Sequence, residues 1–197
     1  MHIEIFDSVH KDAKRKISIL EEPGYGNVVF IQNIAFKGKR KINWKDVENY
    51  LRDYIGNFYE IHQTGDTIYI SKDFPDEYTN SKDTQRLKGA LAKAKANAAQ
   101  GIPELIQAAS NQSFKKNLAE KHKKDAKFGW YRYDSHVALP VWGENGTIDK
   151  YNIFHVRILI RHADDGKKYL YDIVNIKKET STPPRQSSYG RKPISCN

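Results

Sequence analysis

From Gly129 onward the apolar positions of this chain recur every second residue, the signature of strands with one buried and one open face. Three such runs are predicted: Trp130 to Trp142, Tyr151 to Ala163 and Lys168 to Lys178. In the second, Phe154, Val156, Ile158 and Ile160 point one way and His155, Arg157 and Arg161 the other. In the third, Leu170, Val174 and Ile176 oppose Tyr169, Tyr171, Asn175 and Lys177. In the first, Val137, Leu139 and Val141 join the apolar side, leaving Arg132, Asp134 and His136 on the polar one. The turn Asp164-Asp165-Gly166 has glycine where a left-handed residue is wanted, and predicts a hairpin that pairs Ala163 with Lys167. Continued without interruption, that register sets Arg161 opposite Tyr169, Ile160 opposite Leu170, Val156 opposite Val174 and His155 opposite Asn175. Asp172 is discordant, since the same register turns it toward the apolar side.

Before Gly129 the period lengthens. Trp44, Val47, Tyr50, Leu51 and Tyr54 fall on one helical face after Asn43, a good N-cap, and Gly56 supplies the stop. Short alternating runs at Ile3–Phe6, Ile17–Leu20 and Asn27–Ile31 predict strands, and Phe58–His62 with Thr67–Ser71 predict a hairpin around Thr64-Gly65-Asp66. After a polar stretch from Asp73 to Asp83, Leu87, Leu91, Ala94 and Ala98 form a helical stripe ended by Gly101. Pro103 opens a second helix that carries Leu105, Ile106, Ala109, Phe114 and Leu118, broken near Ser110-Asn111-Gln112. The expectation is an α+β protein: an N-terminal helix packed on a small sheet, then two helices and a C-terminal antiparallel sheet of three or four strands. The corresponding division is 1–82, 83–180 and a flexible tail at 181–197.

Composition narrows the function classes. The 197 residues are 39% hydrophobic and 12% aromatic, values of a folded chain with a core. No apolar run reaches the roughly 20 residues that span a bilayer, and the first residues carry Glu4 and Asp7 in place of a secretory apolar segment. Cys196 is the single cysteine, which excludes an intrachain disulfide and argues against a thiolate metal site. A cytoplasmic protein without cofactor or metal is expected. The formal charge of +9 favours polyanionic partners, because releasing counterions from phosphates drives association.

The chemistry of the polar sheet face sharpens that. Arg132, His136, His155, Arg157, Arg161, Tyr169, Tyr171, Asn175 and Lys177 share it, with Asp134 the only acid. Arginine forks match phosphate oxygens, tyrosines offer stacking surfaces, and histidines exchange protons near neutral pH. RNA cleavage by attack of the ribose 2′-hydroxyl on its own phosphate needs a base, an acid and cations, all of which this face supplies without a metal. The same residues also fit a solvated face, or one covered by the N-terminal region with cation–π pairs such as Arg161 over Tyr169. The basic run from Lys115 through Lys121-His122-Lys123-Lys124 to Lys127 reads equally as a solvated helix end. Phosphate-loop, HExxH and Gly-x-Ser-x-Gly motifs are absent from the sequence.

Four blocks carry a resemblance: Ala92-Lys93-Ala94-Lys95-Ala96-Asn97, Lys121-His122-Lys123-Lys124-Asp125-Ala126, Trp130-Tyr131-Arg132-Tyr133, and Tyr169 through Glu179. Together, over roughly residues 45–184, they resemble a large polyvalent protein-associated domain of phages and conjugative elements, which implies a mobile-element setting and no particular reaction. The C-terminal half is also loosely similar to the barnase–EndoU–colicin–RelE nuclease group, whose members cleave RNA without metal through His, Lys, Arg and Tyr residues that vary between families. That similarity implies a toxin-like endoribonuclease, with His122, Arg132, Arg161 and Tyr171 where the group's residues would be expected; taken together with the polar face, it gives His122, His155 and Tyr171 as proton-transfer or stacking groups. Arg132, Arg157, Arg161 and Lys177 would be its phosphate contacts. The implied partners are RNA or DNA, and a neighbouring domain or inhibitor protein. The rival expectation is a non-catalytic accessory module that binds nucleic acid or protein.

Overall fold

The computed structural model describes residues 15–38, 41–118 and 125–184, and the chain is α+β as expected. The expected strand at Ile3–Phe6 and the candidate His122 lie outside the described residues. An N-terminal hairpin, β1 (Ile17–Glu22) and β2 (Gly26–Ile31), precedes helix α1 (Trp44–Leu51). Asn43 caps α1 by accepting from the Lys45 amide at 3.2 Å, and a 3-10 turn over Arg52–Tyr54 leads to Gly56 at φ +86. The second hairpin is β3 (Phe58–Ile61) and β4 (Asp66–Tyr69). The polar stretch, to which the sequence pattern assigns no element, folds as α2 (Phe74–Asn80) and α3 (Lys82–Arg86). Pro75 fits the first turn of α2, and Ser81 caps α3 through the Thr84 amide.

Helix α4 (Gly89–Ala98) and a 3-10 turn lead into α5 (Ile102–Gln107), opened by Pro103 as predicted. The second helix stops there. Ser110–Lys115 is a strand, β5, antiparallel to β6 (Gly129–Trp142), so the helical reading of Phe114 and Leu118 is corrected. Five of its six residues are exposed and its one apolar side chain, Phe114, faces solvent, so no apolar period marks it as a strand. Gly129 opens β6 at φ +102, where a Cβ would lie 2.7 Å from the Phe114 ring. β6, β7 (Ile148–His162) and β8 (Lys168–Thr182) then form the long antiparallel meander. β8 continues through Ser181 and Thr182, which pair with Asn152 and Tyr151, two residues into the expected tail.

The eight strands among the described residues belong to one curled sheet, in the order β1-β2-β6-β7-β8-β4-β3 with β5 beside β6. Two parallel joints connect the N-terminal hairpins to the meander: Val29 and Phe30 of β2 beside Val137 and Ala138, and Ile68 and Tyr69 of β4 beside Lys168 and Tyr169. One face holds the main core. There Val137, Phe154, Val156, Ile158, Ile160 and Leu170 meet Val47 and Leu51 of α1, Phe74 and Tyr78 of α2, the alanines of α4 and Leu105 and Ile106 of α5. A smaller cluster, Val28, Phe30, Ala138, Tyr151 and Ile153, covers one end of the opposite, outer face beneath the first hairpin.

The hairpin after β7 forms as predicted: Ala163 N donates to Lys167 O, and Gly166 sits at φ +79. Beyond Ile160–Leu170 the register departs from the uninterrupted expectation. Leu159 pairs with Asp172, Arg157 with Val174 and His155 with Lys177, because β8 carries an extra residue at Tyr171 and another beside Asn175. Asn175 takes φ +53, a conformation asparagine adopts more readily than other non-glycine residues. Asp172, turned to the apolar side, is met by Lys95 of α4 at 2.7 Å, both nearly fully buried.

Candidate nucleic-acid interface

Alternation along β6 and β7 places Trp130, Arg132, Asp134 and His136 on the outer face, with Arg161, Leu159, Arg157 and His155 as their respective cross-strand partners. Two clusters result. In the first, Asp134 is the hub. His155 Nε2 lies 2.9 Å from Asp134 Oδ1, and Arg157 donates Nε and Nη2 to the same oxygen at 3.2 Å each. Asn111 of β5 reaches the other carboxylate oxygen at 3.4 Å. Burial pushes the Asp134 carboxyl up, but the hydrogen bonds from His155 and Arg157 outweigh it and hold the group below its ordinary value. Asp134 therefore only accepts, so His155 Nε2 donates, and Nδ1 of a neutral ring is left as an acceptor.

His136 packs edge-on to His155, ring centroids 5.4 Å apart, and Tyr25 of the first hairpin closes its far side at 5.5 Å. Burial first, and the neighbouring His155 second, lower the His136 pKa, which favours the neutral ring at pH 7. Side chains of His155, Asp134 and Arg157 remain 21%, 22% and 38% exposed, so solvent reaches the cluster. Lys177, opposite His155, is 74% exposed and 3.7 Å from Glu179.

The second cluster lies six residues away along β7, roughly 20 Å at strand rise. Arg161 faces Glu77 of α2 at 3.6 Å, donates to Ser71 Oγ at 3.3 Å and lies over the Tyr169 ring at 5.5 Å, with its side chain only 11% exposed. Burial raises Glu77 to about 7 against the opposing pull of Arg161, and Asp73, Asp125 and Asp172 push it in the same direction as burial. Tyr171 packs edge-on to Trp130 at 5.0 Å, and its hydroxyl is raised by burial and then by the charge of Glu77.

The fold thus brings His155 and Arg157 together, with Lys177 across from them, and keeps Arg161 and Tyr171 apart from that group. Arg132 lies between the clusters without a hydrogen bond or ion pair among the described residues. Two contributors escaped the sequence reading. The hub role of Asp134 follows from its position opposite Arg157 and diagonal to His155, which the Glu144-Asn145-Gly146 turn does not reveal, because an irregularity between Val141 and Trp142 shifts the β6–β7 register by one residue. Glu77 had no local signal, since its partner Arg161 lies on a strand far along the chain. Among the described residues no group of three or more His, Cys, Asp or Glu is arranged to hold a metal, and no helix is long and apolar enough to cross a membrane. Comparison with family models, curated proteins and solved structures finds no match for this chain.

Proposed function

We propose that the outer sheet face binds RNA and that the Asp134–His155–Arg157–His136 cluster cleaves it without a metal. The carrying observation is the juxtaposition of two histidines in edge contact, one oriented by a carboxylate that also holds an arginine fork. In this reading neutral His136 takes the proton of the 2′-hydroxyl. The freed oxygen forms a bond to the adjacent phosphorus as the bond from phosphorus to the 5′-oxygen breaks. His155, protonated and anchored through Nε2 to Asp134, gives the Nδ1 proton to that leaving oxygen. Arg157, Lys177 and Arg132 offset the charge that develops on the phosphate. The resemblance to phage and conjugative-element domains supports a mobile-element setting only, and the loose similarity to the barnase–EndoU–colicin–RelE group supports the toxin-like endoribonuclease, acting in a bacterial cytoplasm and restrained by a neighbouring domain or inhibitor protein. Tyr171 and Arg161, about 13 Å and 20 Å from His155 at strand rise, would contact the strand away from the scissile bond.

A second reading has its own support. Arg157 and Arg161 are already paired with Asp134 and Glu77, as in a structural face or a non-catalytic accessory module. End-labelled single-stranded RNAs incubated with the protein and a chelator decide between the two. Cleavage is expected, falling by roughly 10²–10⁴-fold in His155→Gln. Intact RNA at high protein concentration removes the catalytic assignment, and salt-sensitive binding without cleavage leaves the accessory module.

A further inference from the structure

We propose that Phe58, Tyr69 and Tyr169 form a stacking platform for the bases of a single strand, at the edge of the outer face. The inference deepens the RNA reading and rests on it for the choice of polymer. It comes from the register. Phe58 pairs with Tyr69, Tyr69 with Tyr169, Tyr169 with Arg161, Arg161 with Trp130 and Trp130 with Lys115. One residue from each of six strands therefore stands in a single row across the sheet, and side chains paired this way project from the same face.

Within the row, Phe58 and Tyr69 ring centroids are 5.7 Å apart, and Tyr69 and Tyr169 5.9 Å, with the planes tilted. Cations are interleaved: Lys167 Nζ lies 4.8 Å over Tyr69 and Arg161 lies over Tyr169. The acid nearest the platform, Asp165, is engaged by the Tyr169 hydroxyl at 2.6 Å and the Lys167 amide at 2.9 Å. Phe58 is 63% exposed on an edge strand, a position where proteins ordinarily place charge or proline. Rings flanked by cations are what an unpaired strand requires: bases stack on the π-faces and phosphates meet the charges. A duplex has its base faces occupied by its own stack and cannot use them. From Trp130, next to last in the row, Arg132 lies two residues along β6, roughly 7 Å, in the direction of the histidine pair.

The test measures fluorescence anisotropy of a short labelled 2′-O-methyl oligouridine, and of a blunt 2′-O-methyl duplex, at low salt. Neither probe has a 2′-hydroxyl, so binding is read independently of cleavage. The single strand should bind more tightly than the duplex. Phe58→Ala and Tyr69→Leu should each weaken it by about fivefold to a hundredfold, the loss of one stacked base, with unchanged circular dichroism, while Tyr69→Phe keeps the affinity. Equal affinity for duplex and single strand, or unchanged affinity in both ring-removing variants, overturns the platform even if plain RNA is cleaved. Ring-dependent binding without any cleavage of plain RNA keeps the platform and removes the catalytic reading. No binding of either probe overturns the platform and leaves the face to a protein partner.

Discussion

Lys95 has no solvent-exposed side-chain surface, and its ammonium is met by Asp172 at 2.7 Å and, more distantly, by Asp83 at 3.8 Å. Burial raises the Asp172 carboxyl to about 6 in spite of that lysine. With its folded value above its unfolded one, this group binds its proton more tightly in the native state. Its contribution to stability is therefore fullest at low pH and is lost as pH rises toward 6. Lys95→Met leaves a buried carboxylate without its main counter-charge, and about 3–5 kcal/mol should be lost at pH 7 by urea unfolding. The deficit should shrink as pH falls, because protonation removes the charge that needed a partner. Lys95→Met combined with Asp172→Asn should come back to within about 1 kcal/mol of wild type, since no unpaired charge remains. In the sequence this pair was half visible. Asp172 stood out as a misfit on its strand, but its partner lies 77 positions away on a helix whose alanines gave no orientation for the lysine. The outer-face residues were legible for the opposite reason, because strand alternation assigns a face to each residue without any knowledge of distant partners.

Among the elements, β8 shows how a turn can fix the start of a register without fixing its continuation. Asp164-Asp165-Gly166 and the alternation of β7 predict the pairs next to the hairpin, and these form. The bulges at Tyr171 and beside Asn175 then displace the rest, which is why Lys177 and not Asn175 faces His155. A bulge leaves only a faint trace in sequence: here, an asparagine in a strand at φ +53. Asn175→Gly should be neutral within about 0.5 kcal/mol, whereas Asn175→Val should cost roughly 1–2 kcal/mol, because a β-branched side chain resists the left-handed region. Denaturant midpoints of the two variants check this, and equal midpoints would mean the bulge is not held at that residue. The misread β5 and the missed α2 and α3 share a cause. Their residues are mostly polar or lie in very short elements, and what stabilises them is a neighbour: β6 for the strand, the main core and β8 for the helices.

At the scale of the whole molecule, the question is whether the expected division near residue 82 marks units that fold by themselves. The sheet runs across that boundary in both directions, with β2 beside β6 and β4 beside β8. Side chains bridge it as well: the Tyr78 hydroxyl donates to Lys95 O at 2.6 Å, the Tyr54 hydroxyl donates to Gln100 O at 2.9 Å, and Arg15 pairs with Glu104. Val47, Leu51, Ile61, Ile68, Phe74 and Tyr78, all from the first part, have no exposed surface and share one core with the meander. Burying each stabilises by roughly 1.5–3 kcal/mol, so a fragment of residues 83–180 would forfeit on the order of ten kcal/mol. That is comparable to the whole net stability of a typical domain, roughly 5–15 kcal/mol. The fragment would also expose β8 as an unpaired edge where β4 had covered it. It should therefore show no cooperative urea transition and poorly dispersed amide resonances. If it unfolds cooperatively with native-like dispersion, the N-terminal hairpins and α1–α2 are a separable layer. The aromatic row, which needs β3 and β4 on one side and β6 to β8 on the other, would then depend on docking between two units. On the architecture seen here it does not: the same pairing that closes the core also lines up Phe58, Tyr69 and Tyr169, so losing the first part would remove the fold and the platform together.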